Sequence, residues 1–212
     1  VDRRVDMGVL SDSGKPLYWA SGDLVVRRFA RAYIAHEPTF VPEHHIFEDG
    51  ALEWNLFSWG DATGRIKYYS PEWYDLDISS LPDEISGDAR YDIARAQLGG
   101  GWRLPTESEW KRLFENCTID CDRRLRYYRT WLTSKTTGNT ICFYMSGVIG
   151  FISPEHGFYS EGAGEYLSGT KNRTANFFFN MVGEDIAHSD TIMYSSINWS
   201  SMGMFFVRPV TE

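Results

Sequence analysis

One stretch near the middle of the chain stops a helix and starts another with almost nothing between them, and that constrains the fold more than any other feature. Residues 88–98 carry Ala89, Ile93, Ala94 and Leu98 at helical spacing behind Asp88, a residue able to cap the first turn. Gly99-Gly100-Gly101 ends that helix, because glycine takes the left-handed conformation a helix C-terminus favours. A second helix begins after Pro105, with Thr106 as N-cap and Glu109 three residues on, which is a capping box. Trp110, Leu113 and Phe114 then fall on one apolar face, and the helix is expected to end near Asn116. Trp102 and Trp110 are read as large apolar anchors, so Trp102, Leu104, Trp110, Leu113 and Phe114 form the expected core of this region.

The flanks have the texture of strands. Residues 5–10, 17–20 and 24–33 precede the helices; residues 131–133, 140–145, 148–152, 176–181 and 205–210 follow them. Two helices set among many short strands predict an α+β domain, with the helices packed on antiparallel sheet. Residues 36–86 break the pattern. Pro38, Pro42, Pro71 and Pro82 punctuate them, and they read as an insertion or long-loop region within a single domain spanning 1–212, anchored by Trp54, Phe57, Trp59 and Trp73.

Charge excludes one class of partner. Acidic residues exceed basic ones and the net charge is -8, whereas a nucleic-acid binder needs a basic footprint to displace counterions from phosphates. The densest basic run, Arg123-Arg124-Leu125-Arg126, is short and reads as a solvated face. Cys117, Cys121 and Cys142 make an odd count, which is no disulfide framework. Cys117 and Cys121 share a face if the second helix runs that far, and buried thiols are the default for all three. No apolar run reaches the roughly 18 residues of a membrane span. The first residue is Val1 rather than Met, so the sequence reads as trimmed, and the absence of an export signal carries no information about compartment.

The segment Gly99-Gly100-Gly101-Trp102-Arg103-Leu104-Pro105-Thr106-Glu107-Ser108-Glu109-Trp110 resembles the "GGxWRLPTxxEW" motif of the Fibrobacter succinogenes major paralogous domain family, found in Bacteroidetes surface proteins. More loosely it resembles the formylglycine-generating-enzyme-like superfamily. Other pieces agree in order. Asp6-Met7-Gly8, Tyr18-Trp19-Ala20, Phe57-Ser58-Trp59-Gly60 (with Asp61 in place of a glutamate) and Asp92-Ile93-Ala94-Arg95 precede or overlap the first helix. Glu115-Asn116-Cys117-Thr118, Thr133-Ser134-Lys135, Gly138-Asn139-Thr140-Ile141 and Val207-Arg208-Pro209-Val210 follow. The resemblance implies a C-type-lectin-like fold with the first and last strands paired, residues 5–9 against 205–210. It implies a secreted or cell-surface protein, outer-membrane lipoprotein or periplasmic, lipid-anchored in its full-length form.

Catalytic chemistry is sparse. Gly164-Glu165-Tyr166-Leu167-Ser168 resembles the "GNVWEWTS" region of the formylglycine-generating enzymes, but their cysteines have no counterpart after Cys142. Calcium-binding lectin motifs are missing: Glu37-Pro38-Thr39 is misplaced, and Asn198-Trp199-Ser200 lacks the acid. His36, His44, His45 and Glu48 match no zinc spacing. Glu107 and Glu109 could serve as an acid/base pair, but a cap plus an ion pair to Arg103 accounts for them. The expected function is therefore a non-catalytic, adhesin-like module without cofactor, binding a glycan or a protein without calcium. The alternatives are a divergent formylglycine-generating-like enzyme and a structural envelope domain. The expected binding face joins residues 157–168 to residues 188–204, with Tyr159, Tyr166, Tyr194, Asn198 and Trp199 as binding residues among Ser and Gly. Residues 189–201 are also rich in the residue types that retroelement-diversified relatives vary.

Overall fold

The computed structural model describes residues 3–27, 30–35, 56–66, 71–122, 128–145, 149–153, 156–159, 163–178 and 205–212. These form an α+β arrangement whose paired strands all run antiparallel. β1 (Arg4–Leu10) and β2 (Pro16–Ala20) make a hairpin, closed where the Ser11 amide donates to the Lys15 carbonyl at 2.8 Å. β3 (Leu24–Arg27) and β4 (Ala30–Ile34) make a second pair. The short helix α1 (Pro71–Asp75) and a 3-10 turn (Ile78–Ser80) come next, then helices α2 (Ile93–Leu98) and α3 (Glu107–Glu115). β5 (Cys117–Asp122), β6 (Tyr128–Ser134) and β7 (Thr140–Met145) form a meander. β8 (Ile149–Ser153) pairs with β9 (His156–Tyr159), and β10 (Ala163–Leu167) with β11 (Thr174–Phe178). β12 (Val210–Thr211) ends the chain's structure.

Both central helices are capped by side chains. In α3 the Thr106 hydroxyl accepts from the Glu109 amide while the Glu109 carboxylate accepts from the Thr106 amide, the reciprocal box expected from sequence. α2 is shorter than its periodicity suggests. Its N-cap is Asp92, not Asp88, and residues 88–91 form a turn that delivers the chain to it. Asp92 wins because its carboxylate accepts four backbone amides, those of Gly87, Ala94, Arg95 and Leu104, at 2.7–3.1 Å. One buried side chain thus ties α2 to the segment leading into α3. Gly99, at φ 69°, caps the other end.

The last strand does not pair with the first. Val210 and Thr211 lie opposite Trp19 and Tyr18, so β2 sits between β1 and β12 in one sheet. Hairpin closure is local and claims the facing edges of β1 and β2, leaving the outer edge of β2 for the returning C-terminus. The approach to β12 is a thread through the centre. Phe205 bridges Phe57, the Phe206 amide donates to the Glu165 carbonyl, the Leu24 amide donates to the Val207 carbonyl, and Val210 exchanges both hydrogen bonds with Arg103. Buried backbone needs partners, and this segment finds them on four separate elements.

Cys117 and Cys121 lie on β5 rather than on a continued helix. Cys117 is a free thiol in the core, and burial pushes its pKa up to about 11, so it is an inert thiol rather than a nucleophile.

The core has two lobes. One gathers Met7, Leu17, Trp19, Trp110, Leu113, Leu132, Phe143, Tyr166 and Phe206 between α3 and the sheets. The other gathers Leu24, Phe57, Trp59, Ile85, Ile93, Leu104 and Val207 around α2. Phe57 and Trp59 therefore anchor the irregular region as expected, the Trp59 indole donating to the Ser168 carbonyl at 2.9 Å. Leu104, Trp110 and Leu113 are buried, and Phe114 is partly buried against the first lobe. Trp102 is a correction: it is half-buried and lines a surface cleft. Its chain leaves Gly101 so close to β12 that a Cβ there would stand 2.5 Å from Thr211 Oγ1, which fixes Trp102 beside the sheet edge rather than inside it.

Candidate functional site

The expected binding residues separate into two groups. Tyr194, Asn198 and Trp199 lie outside the described residues, as do His36, His44, His45, Glu48, Trp54 and the diversifiable segment 189–201. Tyr159 falls on β9, its backbone opposite Ile149. Tyr166 is corrected: its ring is fully buried, 5.0 Å from Phe143 edge-on and 5.5 Å from Phe206. Strand alternation explains this, since Tyr166 lies opposite Ala175 on the inner face of the β10–β11 pair.

The residues of the central motif have structural work. Arg103 grips Glu109 with both terminal nitrogens, at 2.6 and 2.7 Å, and Glu109 is wholly buried. The same carboxylate accepts from the Thr106 and Asp12 amides. With its oxygens so committed it caps and braces, and it has no lone pair to spare for a substrate proton. Glu107 instead pairs with Lys111 at 2.9 Å and Arg173 at 3.2 Å. Pro105 and Leu104 are buried behind it; the Pro105 carbonyl accepts from the Gly169 amide and Ser168 hydroxyl. A second network closes on a bulge in β1. There Gly8, at φ 69°, packs so tightly on Thr136 that any Cβ would overlap its hydroxyl at 1.8 Å. Asn116 and Ser134 both donate to the Met7 carbonyl beside it, at 2.7 and 2.9 Å.

Among the described residues, a surface cleft of about 530 Å³ has the volume of a small-ligand site. Its lining is Arg3 and Arg4 from the start of β1, Arg31 to Ile34 from β4, Leu98 at the end of α2, Trp102, and Thr211 of β12. On β4 the alternation sends Ala32 and Ile34 inward and leaves Arg31 and Tyr33 exposed on one face. Tyr33 is 39% exposed, high for a large ring, and it is held in place: Arg27 lies over its ring at 5.4 Å and donates to its hydroxyl at 3.0 Å. Among the described residues the lining thus includes three arginines and two aromatic residues, and Arg4 also lies over the Tyr18 ring at 5.7 Å. The sequence reading missed this site because it searched for contiguous basic runs. The available signal was the Arg-x-Tyr alternation on β4, Arg31 and Tyr33, which places a cation and a ring side by side.

Glu165 is the second notable group. It lies on β10 opposite Asn176, on the strand face away from Tyr166, and burial raises its pKa to about 7. Its carboxyl is protonated in the fold at pH values where the unfolded chain, near 4.5, has already lost the proton. The folded state holds the extra proton between those values, so stability falls as pH rises from about 4.5 to about 7 and is flat in this group above that. The expected loss is on the order of 2–3 kcal/mol. Urea denaturation of wild type and Glu165→Gln across this range checks it: the variant should lack that decline, and parallel curves would remove Glu165 as its cause.

Among the described residues no three His, Cys, Asp or Glu side chains converge as a metal site, and no helix is long and apolar enough to cross a membrane. No family model, curated protein or solved structure matches the chain.

Proposed function

We propose that this chain is a non-catalytic ligand-binding module of a secreted or cell-surface protein, adhesin-like, built on a C-type-lectin-like fold and taking a glycan or protein ligand without calcium. The observation that carries this reading is the surface cleft whose described lining includes Arg3, Arg4, Arg31, Tyr33 and Trp102, with the Tyr33 ring 39% exposed and held by Arg27. The fold assignment draws support from the motif pieces that resemble the Fibrobacter paralogous domains. They lie far apart in sequence yet meet in the networks around Gly8 and Glu109. Further support is that the first and last strands belong to one sheet.

The enzyme reading has one observation in its favour, Glu165 with its pKa near neutrality, as a general acid or base requires. Among the described residues no second titratable group is shown poised beside this carboxyl, and a single carboxyl makes a weak catalytic centre. The test is an array of glycans and host proteins probed with the purified protein, with and without a chelator. Binding that persists in chelator and leaves the ligand chemically intact is expected. Binding lost to the chelator, or conversion of the ligand to product, would overturn the proposal.

A further inference from the structure

Resting on that reading, we infer that the open edge of β4 in this cleft takes an extended peptide as an added strand, one that alternates acidic and apolar side chains. The hydrogen bonds that β4 makes on its other side define this edge. The Ala35 amide donates to the Asp23 carbonyl, and the Leu24 amide turns away from β4 to the Val207 carbonyl, so Val25 and Tyr33 are the hydrogen-bonded pair of the ladder. Peptide planarity then sends the Ala32 carbonyl, the Ile34 amide and the Ile34 carbonyl the opposite way, out from β3. Among the described residues no strand takes up that side, since β3 and β4 form a two-stranded sheet, and residues 31–34 line the cleft. Such an edge is a template for one more strand. Side-chain chemistry selects the occupant, because an added strand places alternate side chains on the two faces of β4. The outer face carries Arg31 and Tyr33, and the charged residues of β3 and β4 are Arg27 and Arg31, both basic. Arg27 is engaged with Tyr33, whereas Arg31 is exposed and has no ion-pair partner among the described residues, so this face favours acidic side chains. On the other face Ala32 and Ile34 are buried, and Leu98 and Trp102 line the same cleft, which favours apolar side chains. A second copy of the chain is the poorer occupant: edge-to-edge pairing brings two Arg31 side chains onto one short ribbon and two chains of net charge -8 together.

The probe is a fluorescein-labelled peptide, Ser-Glu-Val-Glu-Val-Glu-Ser, followed by fluorescence polarisation. Its comparisons are the same peptide with lysine for glutamate and a block peptide of the same composition, Ser-Glu-Glu-Glu-Val-Val-Ser. The alternating acidic peptide should bind roughly tenfold or more tightly than either. Hydrogen exchange reads the edge itself: in the free protein the Ile34 amide should exchange roughly tenfold or more faster than those of Tyr33 and Ala35, and saturating peptide should slow it by a similar factor. N-methylation of the valines, or of the glutamates, removes main-chain donors from one side of the added strand, so one set should abolish binding and the other leave it within about twofold. Arg31→Glu, at an exposed position, should weaken the acidic peptide roughly tenfold and turn the preference to the lysine peptide. Ile34→Pro deletes the outward N–H and spares the ladder to β3, so it should abolish binding; where that variant fails to fold, the methylated peptides make the same point on the wild type. No binding of the alternating peptide, equal binding of the block peptide, an Ile34 amide unslowed by peptide, equal effects of the two methylated sets, or wild-type affinity in Arg31→Glu would each overturn the inference. Self-association in sedimentation that Ile34→Pro abolishes would overturn it too, by giving the edge to a second copy. An array ligand that leaves Ile34 exchange unchanged and binds Arg31→Glu normally would sink the edge and leave the broader module reading standing.

Discussion

Asp23→Ala is expected to cost about 3–5 kcal/mol of folding stability, the usual penalty for removing one member of a buried ion pair. Asp23 and Arg208 are both fully buried, and the guanidinium meets the carboxylate at 2.7–2.8 Å. Arg208 also donates to the carbonyls of Ala20 and Cys142, at 3.3 and 2.8 Å, and lies over the Phe143 ring at 4.3 Å. Three elements, β2, β7 and the C-terminal thread, are thereby fixed to one cation. Without Asp23 the guanidinium keeps its two carbonyls and loses its counter-charge in a site water does not reach, and an uncompensated charge there is worse than none. The double variant Asp23→Leu/Arg208→Met removes both charges and should recover a good part of the loss, since apolar replacement of a buried pair is often close to neutral. Urea denaturation of the three proteins decides the matter. A single-variant cost below about 1 kcal/mol, the value of an exposed pair, would mean that water reaches the site.

This pair marks the limit of what the sequence conveys. Arg208 stands in a short apolar run, Val207-Arg208-Pro209-Val210, and its partner is 185 positions away, so no local pattern links them. Local patterns were legible where local physics decides. The capping box at Thr106 and Glu109, the glycine stop at Gly99, and the buried face of Trp110 and Leu113 depend on neighbours three or four residues apart. Expectations failed where a distant partner overrode a local one. Asp88 has the look of a cap, but Asp92 gains the Leu104 amide from another element. β12 was expected against β1, but the turn at residues 11–15 had already closed β1 on β2. Tyr166 reads equally as a binding ring or a core ring from sequence, and the strand register that turns it inward depends on which residue of β11 stands opposite. The cleft was illegible for the same reason: Arg3, Arg4, Arg31 and Trp102 come together only when β1, β4 and the Gly101 turn are placed.

Trp110→Ala should be equally severe, costing about 3–5 kcal/mol. The indole is the hub of the first core lobe. Its ring lies 4.6 Å from Trp19, 5.7 Å from Phe114, 5.8 Å from Phe143 and 6.2 Å from Tyr166, all tilted or offset, as ring quadrupoles prefer. It is the side chain through which α3 holds β2, β7 and β10 at once, and its N–H points to the Leu167 carbonyl at 3.4 Å. Truncation removes the ring's transfer free energy and leaves a cavity that four rings, each held by other contacts, cannot collapse to fill. Trp110→Phe keeps most of the contact and should cost distinctly less. Trp19→Ala combined with Trp110→Ala should cost less than the sum of the two, because the rings touch and share one void. Chemical denaturation of the single and double variants reads this directly. Strict additivity would show two independent cavities. An unchanged midpoint for Trp110→Ala would show that α3 meets the sheets through some other face, and the position of the capping box, one turn from Trp110 and tied to the β1–β2 turn through Asp12, argues against that.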